Sequence, residues 1–156
     1  MKRITLLLAV IVLLSCNNKT GNIKGDLYFK LIDFPSFYET STTNFTTFKK
    51  VIDSIKNKKS ISKEEQNLVD YYYKLEKFNL LKTPFIKIKT KENNIKKVFL
   101  NPKEYEKVRD FTWGDLTNKK KKVSLELKII ELDSSIYYSD EITSLKVVDG
   151  ITYWNK

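Results

Sequence analysis

The chain has 156 residues (18.4 kDa) and a formal charge of +10, and it is 41% hydrophobic, 31% charged and 13% aromatic. A chain of this size makes one ordinary domain whose core needs neither metal nor disulfide. His 0 and Cys 1 exclude an imidazole base, Ser-His and Cys-His nucleophiles, His-ligated metal, an intrachain disulfide and a cysteine zinc cluster.

At the N-terminus Lys2 and Arg3 precede residues 4–14, whose one polar member is Thr5. A positive n-region before a short apolar h-region reads as a signal peptide over residues 1–15. The run is too short for a spanning helix, which needs about 20 apolar residues. It ends in Leu13-Leu14-Ser15-Cys16, which resembles the lipobox of bacterial lipoproteins. That resemblance covers about the first sixteen residues. It implies cleavage between Ser15 and Cys16, diacylation of the Cys16 thiol, and often acylation of the new amino group. Two or more acyl chains hold a protein stably on a membrane where one holds it marginally. In the Gram-negative lipoproteins that it resembles, a residue such as Asn17 rather than Asp after the cysteine implies outer-membrane sorting. Residues 16–22 lack the acidic cluster associated with surface export in some lineages and read as a short, polar, lipidated tether. The expected location is the envelope, at the outer membrane facing the periplasm.

Residues 23–156 are then a single domain. Residues 25–34 alternate around Leu27, Phe29 and Leu31, which predicts a strand ended by Pro35. Phe45, Phe48, Ile52 and Ile55 share one face of a helix over residues 44–57, with Thr43 or Asn44 as its cap. Ser62 and Glu65 form a capping box for a second helix reaching about Leu80, with Leu68, Tyr72, Leu75 and Phe78 inward and Tyr71 and Tyr73 beside them. The short basic connection makes the pair an antiparallel helical hairpin.

Residues 85–89 and 95–100 are strands joined through Glu92-Asn93-Asn94. Asn101, Pro102 and Glu104 open a short helix with Tyr105 and Val108 inward. Residues 122–131 alternate until Ile130 changes phase, which predicts a bulge, and Asp133-Ser134-Ser135 turns the chain into residues 136–138. Asp149-Gly150 predicts a type I′ hairpin within residues 147–154. The order predicts an α+β fold: a mainly antiparallel sheet with an N-terminal helical hairpin and one short extra helix. Residues 121–148 resemble two successive strands of a small barrel such as an OB-fold.

The positive charge is almost all lysine, since Arg3 and Arg109 are the two arginines, and loss of residues 1–15 lowers the charge from +10 to +8. Bidentate recognition of bases and phosphates favours arginine, and an envelope location argues against a nucleic-acid partner. The densest basic runs, at residues 56–59 and 119–122, read as solvated loops; put to use, they would attract anionic headgroups or glycan phosphates.

Ser60-Ile61-Ser62-Lys63 contains the SxxK spacing of penicillin-binding enzymes, and Lys19-Thr20-Gly21 echoes their KTG. Their order is wrong and the helix cap accounts for Ser62. Glu126, Glu131, Asp140 and Glu141 are the candidates for a carboxylate pair, but no spacing brings two of them across a cleft. Neither metal nor cofactor is called for. Trp113, in the Gly-containing stretch 111–115, is the candidate binding residue, because loop aromatics anchor glycans and protein interfaces; Tyr71 and Tyr73, on the second helix, come next.

The expected function is that of a lipid-anchored, non-catalytic binding or assembly module meeting an envelope protein or glycan. The alternatives are an inhibitor or immunity-type protein against an envelope-acting toxin or hydrolase, and a carboxylate-dependent hydrolase of envelope polymers.

Overall fold

The computed structural model describes residues 19–28, 42–111, 115–116 and 121–149. Strand β4 (Lys122–Asp133) turns Val123, Leu125, Leu127 and Ile129 inward. It pairs antiparallel with β1 (Lys19–Leu27) on one side and with β5 (Ile136–Val148) on the other. β1 also pairs antiparallel with β2 (Phe85–Lys89), and β2 pairs antiparallel with β3 (Ile95–Leu100). β3 lies parallel to β5, so the strands close into a barrel in the order β1-β2-β3-β5-β4. Helices α1 (Thr42–Lys56) and α2 (Lys63–Lys77) are inserted between β1 and β2, and α3 (Pro102–Tyr105) lies between β3 and β4. This closed five-stranded barrel resembles an OB-fold.

The structure corrects the expected fold class. The expected mainly antiparallel sheet is a closed barrel, with β3 and β5 parallel. The helical hairpin is not N-terminal to the sheet, because β1 precedes it. Closure depends on β1 pairing with both β2 and β4, partners far apart in the chain, and local alternation carries no trace of that.

The first strand is also displaced. β1 begins at Lys19, inside the segment expected to be tether, and ends at Leu27. Over most of its length only Ile23 and Leu27 are buried, so its own pattern is weak. Pairing with eight consecutive residues of β4 creates the strand, and tertiary context overrides the stronger local alternation downstream. Residues 29–34 of the expected strand, and the hairpin from Gly150 onward, lie outside the described residues. β5 runs through Val148, far beyond the predicted residue 138, because β4 supplies partners along its whole length. One of three register shifts between these strands lies between Lys128 and Ile130, where the phase change puts a bulge.

Two hydrophobic cores result. The first fills the barrel with inward residues such as Ile88, Val98, Leu100, Val123 and Leu127. The second lies between the barrel's outer surface and the helices. Phe48 and Ile52 of α1 and Tyr72 and Leu75 of α2 pack there against Phe85, Phe99 and Ile136. Phe85 and Phe99 are cross-strand partners with rings edge to face, centroids 5.6 Å apart.

Local chemistry holds the helices in place. The Ser62 hydroxyl accepts from the Glu65 amide at 3.2 Å, and the Glu65 carboxylate accepts from the Ser62 amide at 2.9 Å. The α2 helix is followed by Asn79 at φ 57, where the Leu80 amide reaches back to the Leu75 carbonyl at 2.8 Å. Asn101 caps α3 by accepting from the Lys103 amide at 3.0 Å, with Pro102 in the first turn.

Three carboxylates bind these parts together as anions. Asp133, in the β4–β5 corner, meets Lys74 of α2 at 2.9 Å. Lys74 and then the Ser134 groups hold its carboxyl below the usual range. Glu65 is likewise lowered, first by Lys58 and then by the Ser62 amide. Burial pushes Glu104 up, but Lys107 and the Ile142 amide, each at 2.7 Å, outweigh it and leave its pKa lowered.

A carboxyl whose folded pKa lies below its unfolded value contributes stability above the unfolded pKa. That contribution is lost as pH falls through the folded one. The urea midpoint should therefore fall between pH 6 and pH 3, and Asp133→Asn should narrow that difference. An unchanged midpoint over this range would contradict the assignment.

Candidate functional site

From Ser124 to Lys128 of β4, and in the β1 residues paired with them, the outward positions are polar where the inward ones are apolar or glycine, and the register lines them up. Lys89 of β2 stands opposite Asp26 of β1, Asp26 opposite Ser124 of β4, and Ser124 opposite Lys146 of β5. Beside this row runs a second, Lys24 opposite Glu126 opposite Ser144. A row of four strands is about 14 Å wide at ~4.8 Å per strand. The two rows floor an open cleft of about 360 Å³, and Thr90, Lys91 and Lys122 complete its polar lining.

The cleft is electropositive, with five lysines set against two carboxylates among its described lining residues. The Lys122 ammonium lies 3.0 Å from Asp26, whose other carboxylate oxygen accepts from the Ser124 hydroxyl at 2.7 Å. The Lys24 ammonium lies 3.0 Å from Glu126. These partly exposed pairs add little stability. Their effect is to fix both acids in place and occupy them. Lys89 and Lys146 form no ion pair with any described residue. Gly25 lets β1 approach β2 closely at the edge of the cleft: a Cβ there would lie 2.4 Å from Ile88 Cγ2 and 2.5 Å from the Lys89 carbonyl oxygen.

Lysines with hydroxyls beside them bind anions by charge and directed hydrogen bonds. Among the described residues the lining includes no aromatic side chain to serve as a stacking platform for bases or sugar rings. In OB-folds the strand 2–3 face binds oligonucleotides and oligosaccharides. Here the outward residues Phe85 and Phe99 of that face are buried beneath the chain's own helical hairpin.

Of the expected site residues, Ser15, Cys16 and Trp113 lie outside the described residues. Tyr71 and Tyr73 lie on α2, away from the cleft. Tyr71 is half-buried against Lys97, whose ammonium is 3.4 Å from its hydroxyl and 5.2 Å from its ring centre. Tyr73 is 48% exposed, with the Lys56 ammonium 4.4 Å from its ring centre. The Tyr73 hydroxyl, as acceptor, raises the Lys56 pKa.

Among the four candidate carboxylates, Glu126 lines the cleft and Glu131, Asp140 and Glu141 do not. Ser62 is engaged as the helix cap. Among the described residues no group of three or more Cys, His, Asp or Glu is placed to hold a metal ion, and no helix is long and apolar enough to cross a membrane.

The sequence reading missed Lys89, Lys146 and Asp26, which are far apart in the chain. The visible signal was the polar alternation Lys122, Ser124, Glu126 along the outer face of β4. Among the described residues of the two basic runs, Lys122 is the one that lines the cleft.

Comparison with protein-family models, with curated proteins and with solved structures finds no match.

Proposed function

We propose that this chain is a lipid-anchored binding module of the bacterial envelope, held through Cys16 at the outer membrane on its periplasmic side, whose working surface is the basic cleft across β2, β1, β4 and β5. The reading rests on the state of the cleft's two carboxylates. Asp26 and Glu126 are each tied to a lysine at 3.0 Å, which suits fixing the local charge and not the paired acid and base of hydrolysis. Lys89 and Lys146 are left to meet an anion. The Leu13-Leu14-Ser15-Cys16 sequence supports the anchor.

Two variants test the two halves of the reading. A photo-crosslinking residue in place of Ser144 should capture one dominant species in cells, and Lys89→Glu with Lys146→Glu should reduce the adduct at least tenfold. An adduct indifferent to that reversal would remove the cleft as the working surface. Cys16→Ala should abolish acylation and release the chain from the membrane fraction or leave it unprocessed. Unchanged mass and fractionation would remove the anchor.

A further inference from the structure

We infer that the barrel docks its β1–β4–β5 face, with the basic cleft, onto the phosphate-bearing headgroups of the bilayer in which it is anchored. The inference rests on the lipid anchor proposed above and names what the cleft meets.

Three observations converge on this face. The first is chain length. β1 begins at Lys19, three Cα steps after Cys16, so the start of the strand lies within about 11 Å of the acylated residue. Lys24 follows about 17 Å along the strand at ~3.3 Å per residue. The tether holds the start of β1 near the headgroup layer, and β1 is the strand next to the anchor in the chain.

The second is charge. The outward side of β1 and its neighbours is the face with five lysines against two carboxylates. Clusters of lysines beside an anchor are drawn to anionic lipid within a Debye length of the surface.

The third is the apolar border. Ile95 is 50% exposed and stands opposite Lys89, and Val148 is 45% exposed and stands opposite Lys122. Apolar side chains beside lysines are the composition of surfaces that settle into the headgroup boundary. The opposite arrangement, helical hairpin downward, would bring neither the cleft nor these two residues to the lipid.

The test uses the mature lipidated protein in vesicles, either of phosphatidylcholine alone or with ~30% phosphatidylglycerol. Cys16 is the one cysteine of the chain, so acylation leaves no free thiol and an introduced cysteine is labelled uniquely. Thr143→Cys reports the cleft side and Asn67→Cys the helical hairpin, each by energy transfer to an acceptor at the headgroups. The expected result is strong transfer from position 143 and weak transfer from position 67 in phosphatidylglycerol vesicles. Half a molar salt should diminish the contrast, as should Lys89→Glu with Lys146→Glu. The control Lys59→Glu with Lys63→Glu, which changes the net charge equally, should not.

Equal transfer from the two positions whatever the lipid charge, with Cys16 blocked, overturns the docking and leaves the anchor standing. Loss of the contrast with inorganic phosphate, but not with chloride at matched ionic strength, assigns the cleft to soluble phosphate and overturns the headgroup assignment. A free Cys16 thiol in the mature protein overturns the anchor and the docking together.

Discussion

Gly25→Ala should be strongly destabilising to this barrel. The new Cβ would meet two atoms at once: Ile88 Cγ2 at 2.4 Å and the Lys89 carbonyl oxygen at 2.5 Å. A side chain can rotate away, but a backbone oxygen in the β1–β2 seam moves only with its strand. Overpacking costs typically 1–3 kcal/mol and more where backbone must shift, so a loss of about 3 kcal/mol or more is expected. For a chain of this size that lowers Tm by on the order of 10 °C. Ile88→Ala should not rescue it, because the carbonyl remains. The control is Gly21→Ala in the same strand, where a Cβ meets nothing within 4 Å, and it should be close to silent. Thermal unfolding of the two alanine variants side by side decides the matter. Equal Tm values would mean that β1 does not approach β2 this closely.

The second large effect is expected at Ile52→Ala. Ile52 is 0% exposed, at the centre of the outer core. Deleting a buried isoleucine side chain to alanine costs about 2–5 kcal/mol, the upper part of the range applying where the cavity cannot collapse. The core around Ile52 is built from α1, α2 and three barrel strands, β2, β3 and β5. Because Phe85, Phe99 and Ile136 belong both to the strands and to this core, the helices and barrel should unfold together. Circular dichroism in the far ultraviolet and tyrosine fluorescence should then give one shared, lowered urea midpoint. Two separated transitions would show the hairpin to be an independent unit, and a shift below 1 kcal/mol would contradict the burial of Ile52.

Much of the secondary structure was legible because it rests on contacts close in sequence. The capping box at Ser62 and Glu65, the Asn101-Pro102 start of α3 and the alternation from Val123 to Ile129 each specify their element unaided. The cleft was hardly legible. Its two rows depend on register across β2, β1, β4 and β5, and residues as far apart as Asp26 and Ser124 become neighbours only through it. Tyr71 and Tyr73 were singled out as aromatics flanking the buried stripe of one helix; the fold partly covers Tyr71 with Lys97 and keeps both away from the cleft.

By itself the sequence determined the resemblance of the first sixteen residues to a lipoprotein signal, the absence of histidine chemistry and the positions of the helices and most strands, all of them properties of composition or of neighbours a few residues apart. Tertiary structure alone decided that the strands close, that β1 starts at Lys19, that the helical hairpin covers the strand 2–3 face and that isolated lysines form a single cleft. The physical reason is that barrel closure and strand register are set by burying apolar faces against partners some hundred residues away, as Gly25 against Leu125, and no local pattern encodes such a pairing.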